Sequence, residues 1–301
     1  MPDKLVLKHV DLGQHLMVAN PPSTILKRYK ITGKKRIVDG PRPVPGDSID
    51  FSPLLTNAEI HRALMNTAFG GGEMDGSVFG LKPAKNQIYT GETLVKNPAK
   101  IDIRTFSFGR TIPESLLTMQ RDAAGRIYEQ TGVIFRSVDK WHPETFTFVM
   151  FYPEDQEHAR ELSLEFHDIA NNAPDDSKQK LRNLGKIMGT FADSRINCTG
   201  FPSFDENANP LGMLIVIKTG EGYDPSCIYE EMVQSMGLYR DDDSLVSTLF
   251  TDRYKYYQRP TELDWLLLKL VYNPRLKNGM TRTQVSPIVK QLLSELRPYG
   301  D

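Results

Sequence analysis

The chain has 301 residues, 39% of them hydrophobic and 25% charged, enough for one large globular domain or two modest ones. Its formal net charge is -1, with basic and acidic residues interspersed, so no global field draws it to nucleic acid or to an anionic membrane surface. The longest apolar run, Trp265 to Tyr272, contains Lys269 and falls far short of the roughly 20 residues that cross a bilayer, which excludes a transmembrane segment of that kind.

Residues 1–56 carry scattered Pro and Gly and a basic run, Leu26–Arg36, and are expected to form an extended N-terminal arm suited to docking on a neighbour. The first residues lack the apolar core of a secretory signal. The expected location is therefore cytoplasmic if Met1 is the native start, and periplasmic, envelope-associated or secreted if a signal was removed.

From Asn57, a candidate cap, the spacing of Ile60, Leu64, Ala68 and Phe69 predicts a helix. Gly70–Gly80 is glycine-rich but has no G-K-[ST] after it and no apolar strand before it, so it reads as a turn rather than a phosphate loop. Alternation over Lys100–Gly109 predicts a strand, and Thr111–Val133 an amphipathic helix that begins with Pro113 and ends near Gly132.

Glu144–Pro153, rich in aromatic and β-branched residues, reads as a second strand, and the polar stretch from Asp155 to Met188 as helical. Pro210–Gly220 is a short continuous apolar strand, and a helix capped by Asp224 follows it. Thr261–Leu296 reads as two helices parted by a turn at which Pro274 and Gly279 stop the first. The order is therefore strand, helix, strand, helices, strand, helix, then two closing helices.

The helix after Asp224 carries the candidate chemistry. Within "DPSCIYEEMVQSMGLYRDDD", Glu230 and Gln234 are four residues apart on one helical face, where H-E-x-x-H would place two zinc-binding histidines, and Glu231 takes the place of the general base. A catalytic zinc takes three protein ligands, and a neutral glutamine amide is a weak one. Arg240, where a third ligand would stand after Gly237, is a cation.

No metal and no cofactor are therefore expected. Asp241, Asp242 and Asp243 lack the D-x-D-x-D-G spacing of a calcium loop and read as a solvated acidic turn. His9, His15, His61, His142, His158 and His167 stand outside any ligand spacing, and no G-x-S-x-G elbow occurs. Adjacent glutamates on a helix diverge by about 100°, which keeps Glu230 and Glu231 from sharing one substrate atom. Cys198 and Cys227 are too few for an all-thiolate zinc site, and their spacing leaves open both a disulfide and two unpaired thiols.

"CIYEEMVQSMGL" and "TELDWLLLKLVYNPRLKNGM" together resemble domain-of-unknown-function family 2927, a bacterial family placed among the zincin-like peptidases. Its members show an E-E-x-x-Q-x-x-G-L helix and a later D-x-x-x-L-x-x-L-Y-x-P-R-x-x-x-G-M pattern, in which Val271 here replaces the second Leu. The resemblance covers roughly Asn57 to Leu296. It places the paired glutamates on Glu230 and Glu231, the glutamine on Gln234 and the glycine on Gly237; the later pattern falls on Asp264, Tyr272, Pro274, Arg275, Gly279 and Met280.

The resemblance implies a zincin-like α+β fold, a degenerate metallopeptidase, over residues 57–301, with the N-terminal arm and a hairpin insertion near 78–98 as departures from the family. It also implies a disulfide between Cys198 and Cys227, since many relatives have a cysteine pair there, and hence an oxidising envelope compartment. The expected function is a non-catalytic scaffold that binds a protein partner, or a structural subunit of a bacterial envelope or extracellular complex, engaged through the arm and an edge strand at 210–218. The alternative is an atypical hydrolase or peptidase using Glu230 and Glu231, with or without a non-standard metal site.

Overall fold

A computed structural model describes residues 55–69, 93–106, 111–138, 147–172, 175–193, 197–204, 210–220, 224, 226–241, 248–250 and 259–298. Residues 1–54 of the expected arm and 78–92 of the expected hairpin lie outside this set.

Two short strands start the sheet. Strand β1 (Lys100–Phe106) and strand β2 (Ile134–Ser137) lie parallel, joined through helix α2 (Glu114–Thr131), which follows Pro113 and ends where Gly132 turns left-handed at φ 74°. Strand β3 (Thr147–Phe151) pairs parallel on the other side of β1. The polar stretch then forms two helices, α3 (Gln156–Asn172) and α4 (Asp175–Asp193), packed on each other. Strand β4 (Cys198–Phe204) runs antiparallel to strand β5 (Pro210–Ile217), and β5 returns parallel to β3.

The strand order is β2-β1-β3-β5-β4. Pro210–Ile217 is therefore not an edge: it is paired on both sides, and the edge beyond it is β4. The apolar run of β5 fits this interior place, because a strand buried on both faces needs no polar alternation. β4 was not predicted, since Gly200 and Pro202 break its strand character; proline within a sheet belongs on such an edge strand. β2 was not predicted either, being four residues of mixed polarity.

Alternate residues of each central strand face opposite cores. Phe148, Met150, Ile215 and Ile217 join a large core with helix α5 (Ser226–Gln234), while Phe151 and Val216 pack on Leu162, Met188 and Phe191 of the α3–α4 pair. The large core also takes in helix α1 (Asn57–Thr67), helix α6 (Glu262–Val271) and helix α7 (Arg282–Leu296). α1 is capped by Thr56, not by Asn57: the Thr56 side chain accepts from the Glu59 N–H, and the Glu59 carboxylate accepts from the Thr56 N–H at 3.0 Å. Across β1 and β2, the buried Asp102 carboxylate takes a two-pronged ion pair from Arg136, at 2.9 Å to Nε and 2.7 Å to Nη2.

Asp264, at the start of α6, is fully buried and accepts from four donors. The Leu249 N–H lies at 3.0 Å, the Thr261 N–H at 2.7 Å and the Thr261 hydroxyl at 3.1 Å, and the Thr248 hydroxyl is the fourth. One carboxylate thus caps α6 and anchors residues 248–250 to it. Burial raises its pKa to about 6, against the opposing pull of those hydrogen bonds.

The folded value lies above the ordinary 3.8, so this group's contribution to stability is complete below about pH 4 and is lost as pH rises through about 6. Asp264→Asn removes the titration. Its urea-unfolding free energy is expected to lie below wild type throughout, with the gap narrowing by roughly 2–3 kcal/mol between about pH 4 and pH 7. A gap independent of pH would refute this role.

Candidate functional site

The candidate site is built on α5, whose start is well specified. Asp224 Oδ1 accepts from the Ser226 N–H at 2.9 Å and from its hydroxyl at 2.6 Å. All nine residues of the helix are buried. Cys227, in the first turn, is joined by a disulfide to Cys198 at the start of β4, with the Cα atoms 5.7 Å apart.

The three motif positions go to three different places. Glu230 lies beside the disulfide, with a carboxylate oxygen and both sulfurs within 4.8 Å of one another. Glu231 presses against β4 at Gly200: a Cβ there would fall 2.7 Å from Glu231 Oε2 and 2.8 Å from Met213 Cε. Only a residue without a side chain leaves that carboxylate its place. Gln234 donates from Nε2 to Asp241 Oδ1 at 2.5 Å, so the acidic turn folds back on the position of the second histidine. Asp242 and Asp243 lie outside the described residues.

α5 ends abruptly at Gly237. Its φ is +109°, and a Cβ would meet the Val95 carbonyl oxygen at 2.5 Å, so backbone sign and space both demand glycine. Asn97 satisfies a carbonyl at this helix end, donating from Nδ2 to the Ser235 oxygen at 2.7 Å. The chain beyond the turn is fixed to α1, because the Arg240 N–H donates to the Thr67 carbonyl at 3.1 Å while the Arg240 side chain is exposed.

Segment 93–98 reaches this position because the later pattern holds it. The Tyr272 hydroxyl accepts from the Asn97 N–H at 3.0 Å, Leu94 donates to the Met280 carbonyl at 2.8 Å, and Gly279, at φ +81°, donates to the Leu94 carbonyl at 2.9 Å. Asn278 Oδ1 accepts from the Lys96 N–H at 2.7 Å. Pro274 lies in the connecting turn, and Arg275 makes an exposed ion pair with Glu295 at 2.8 Å. These residues clamp chain segments together.

On the opposite flank, the Tyr229 hydroxyl donates to Asp122 Oδ2 at 2.6 Å, tying α5 to α2. Burial, and then the bond to the Asp122 carboxylate, push its phenol up to about 12. The described histidines are elsewhere. His61 Nε2 pairs with Ser286 Oγ at 2.9 Å, His158 Nδ1 accepts from the Glu154 N–H at 3.1 Å, and His167 lies against Gly185.

A catalytic zinc of the zincin kind does not fit these residues. Gln234 is bound to Asp241, Glu230 stands next to sulfurs already bonded to each other, and the third position is an exposed cation. Nor do Glu230 and Glu231 converge, since one faces the disulfide and the other Gly200.

A family model described as Protein of unknown function (DUF2927) matches residues 122–291, from within α2 to within α7. The match covers more than half of the chain, and the protein belongs to this family. No curated protein and no solved structure matches it. Among the described residues, no helix is long and apolar enough to cross a membrane.

Three site residues escaped the sequence reading: Gly200, Asn97 and Asp122. A glycine inside a short apolar stretch was the available signal for Gly200; the other two act through partners more than 100 positions away.

Two expectations follow. Gly237→Ala should lower unfolding free energy by about 2–4 kcal/mol in urea titrations, through left-handed strain plus the Val95 clash. Converting both cysteines to alanine opens a loop of 29 residues' separation and should cost about 3–4 kcal/mol against the oxidised protein in the same titration. A change under about 0.5 kcal/mol, the range of ordinary surface substitutions, would count against either assignment.

Proposed function

We propose that this chain is a zincin-like scaffold that works without catalysis and binds a protein partner in an oxidising envelope or extracellular compartment. The observation that carries this reading is the internal commitment of the motif face: Glu230 to the neighbourhood of the disulfide, Glu231 to the Gly200 notch and Gln234 to Asp241. A hydrolytic site needs at least one of these groups turned toward substrate and water.

Support for a zincin-like arrangement comes from an antiparallel edge strand, β4, beside the helix that carries the altered motif. Support for the compartment comes from the disulfide, which reducing cytosol disfavours. Among the described residues β4 is paired with one strand, β5, and its outer edge is the natural acceptor for an added strand. Pro202 removes one donor from the strand, which directs such pairing toward Cys198–Gly200.

Metal analysis of oxidised protein purified without chelator, paired with a peptide-library hydrolysis assay of wild type and Glu231→Gln, tests the reading. No stoichiometric zinc and no turnover that depends on Glu231 are expected. Stoichiometric zinc, or hydrolysis abolished by Glu231→Gln in a folded variant, would overturn it.

A further inference from the structure

The grouping of Cys198, Cys227 and Glu230 has a chemistry that the scaffold reading does not use. In the oxidised protein the sulfurs are bonded to each other and hold no ligand capacity as thiolates. We propose that reduction of this disulfide creates a site for zinc, or a similar borderline-soft divalent cation, with Cys198 and Cys227 as thiolate ligands and Glu230 as carboxylate ligand.

The geometry supports the site in three ways. First, one ligand atom from each residue already lies within 4.8 Å of the other two. A tetrahedral zinc with bonds of about 2.3 Å to sulfur and 2.0–2.2 Å to oxygen sets its ligands roughly 3.4–3.8 Å apart. Rotation about the Cα–Cβ bonds is the movement required to part the sulfurs, and the Cα atoms are 5.7 Å apart. Second, Cys227 and Glu230 stand three residues apart on one face of α5, and Cys198 meets them from the first residue of β4. A rigid helix and a sheet strand therefore present the set.

Third, the set is enclosed. Reduction leaves two sulfurs and a carboxylate in one largely buried spot, with Cys227 at 0% and Glu230 at 4% exposure. A divalent ion displaces the thiol protons and turns the two sulfurs and the carboxylate into ligands. Three protein ligands leave a fourth position for water.

The redox step balances with a dithiol reductant. Cys198 is half-buried and Cys227 fully buried, so a reductant thiolate attacks the Cys198 sulfur and Cys227 leaves as the thiolate. The second thiolate of the reductant then releases Cys198 and closes the reductant's own disulfide. Two electrons pass to the protein sulfurs, and metal binding displaces the protons that the two thiols carry.

The site is distinct from the zinc position of H-E-x-x-H helices, because Gln234 has no part in it. It also leaves the scaffold reading untouched, which concerns the oxidised protein.

The test is Co²⁺ titration of the whole protein, oxidised or reduced with a phosphine that does not ligate the ion, followed by competition with Zn²⁺. Oxidised protein should take up no ion. Reduced protein should remain folded by circular dichroism and bind one equivalent, with a thiolate-to-cobalt charge-transfer absorption that Zn²⁺ abolishes. Glu230→Gln should weaken binding by about tenfold or more, and Cys198→Ser should remove the absorption while Glu165→Gln, an exposed control, changes nothing. At free zinc about a hundredfold above its Kd, the dithiol–disulfide equilibrium should shift about a hundredfold toward the dithiol. Unfolding on reduction, no uptake by the reduced protein, or equal affinity in Glu230→Gln would each overturn the proposal.

Discussion

A nine-residue helix with two glutamates and a glutamine has no side that faces solvent. Taking a carboxylate out of water costs several kcal/mol unless the protein replaces what water supplied, so each polar side chain of α5 must have a built environment. Much of the surrounding structure can be understood as that environment. The Gly200 notch admits Glu231, Asp241 returns on the chain to meet Gln234, and Tyr229 reaches Asp122 on α2. The disulfide then fixes the first turn of α5 to the edge of the sheet.

The same constraint ties the α5 segment of this chain to the distant segment that follows α6. Gly237 ends α5 against the Val95 carbonyl, and Val95 is held there because Tyr272, Gly279 and Met280 bind the backbone of its neighbours. Asp264 works one helix earlier, joining the cap of α6 to residues 248–250. The later pattern is thus a clamp, and its aspartate, tyrosine and glycine answer to backbone hydrogen bonding and left-handed geometry rather than to reaction chemistry.

Much of this was legible before any coordinates. The strands at 100–106, 147–151 and 210–217, the helix bounded by Pro113 and Gly132, and the capped start at Asp224 all follow from periodicity and local stop signals. What failed had a common physical cause, which is that partner choice is not local. β4 carries Gly and Pro, residues that argue against a strand until the edge position and the approach of Glu231 explain both. β5 was expected at the edge as the peptide-accepting strand of a zincin-like cleft, whereas its apolar run says only that a strand is buried, not which neighbours bury it. The motif face could be placed on the helix by its spacing, but the capture of Gln234 by Asp241 depends on how the turn after Gly237 folds back.

The central claim is that α5 belongs to the packed interior and exposes no working face. Hydrogen–deuterium exchange of the amides from Cys227 to Gln234, followed across low denaturant concentrations, tests it most directly. The account predicts that these amides exchange only by global unfolding, with an opening free energy equal to that from denaturant titration and the same dependence on denaturant. Rapid exchange through local opening that is indifferent to denaturant would contradict it, for it would mean a helix that meets solvent, and with it substrate, in the native protein.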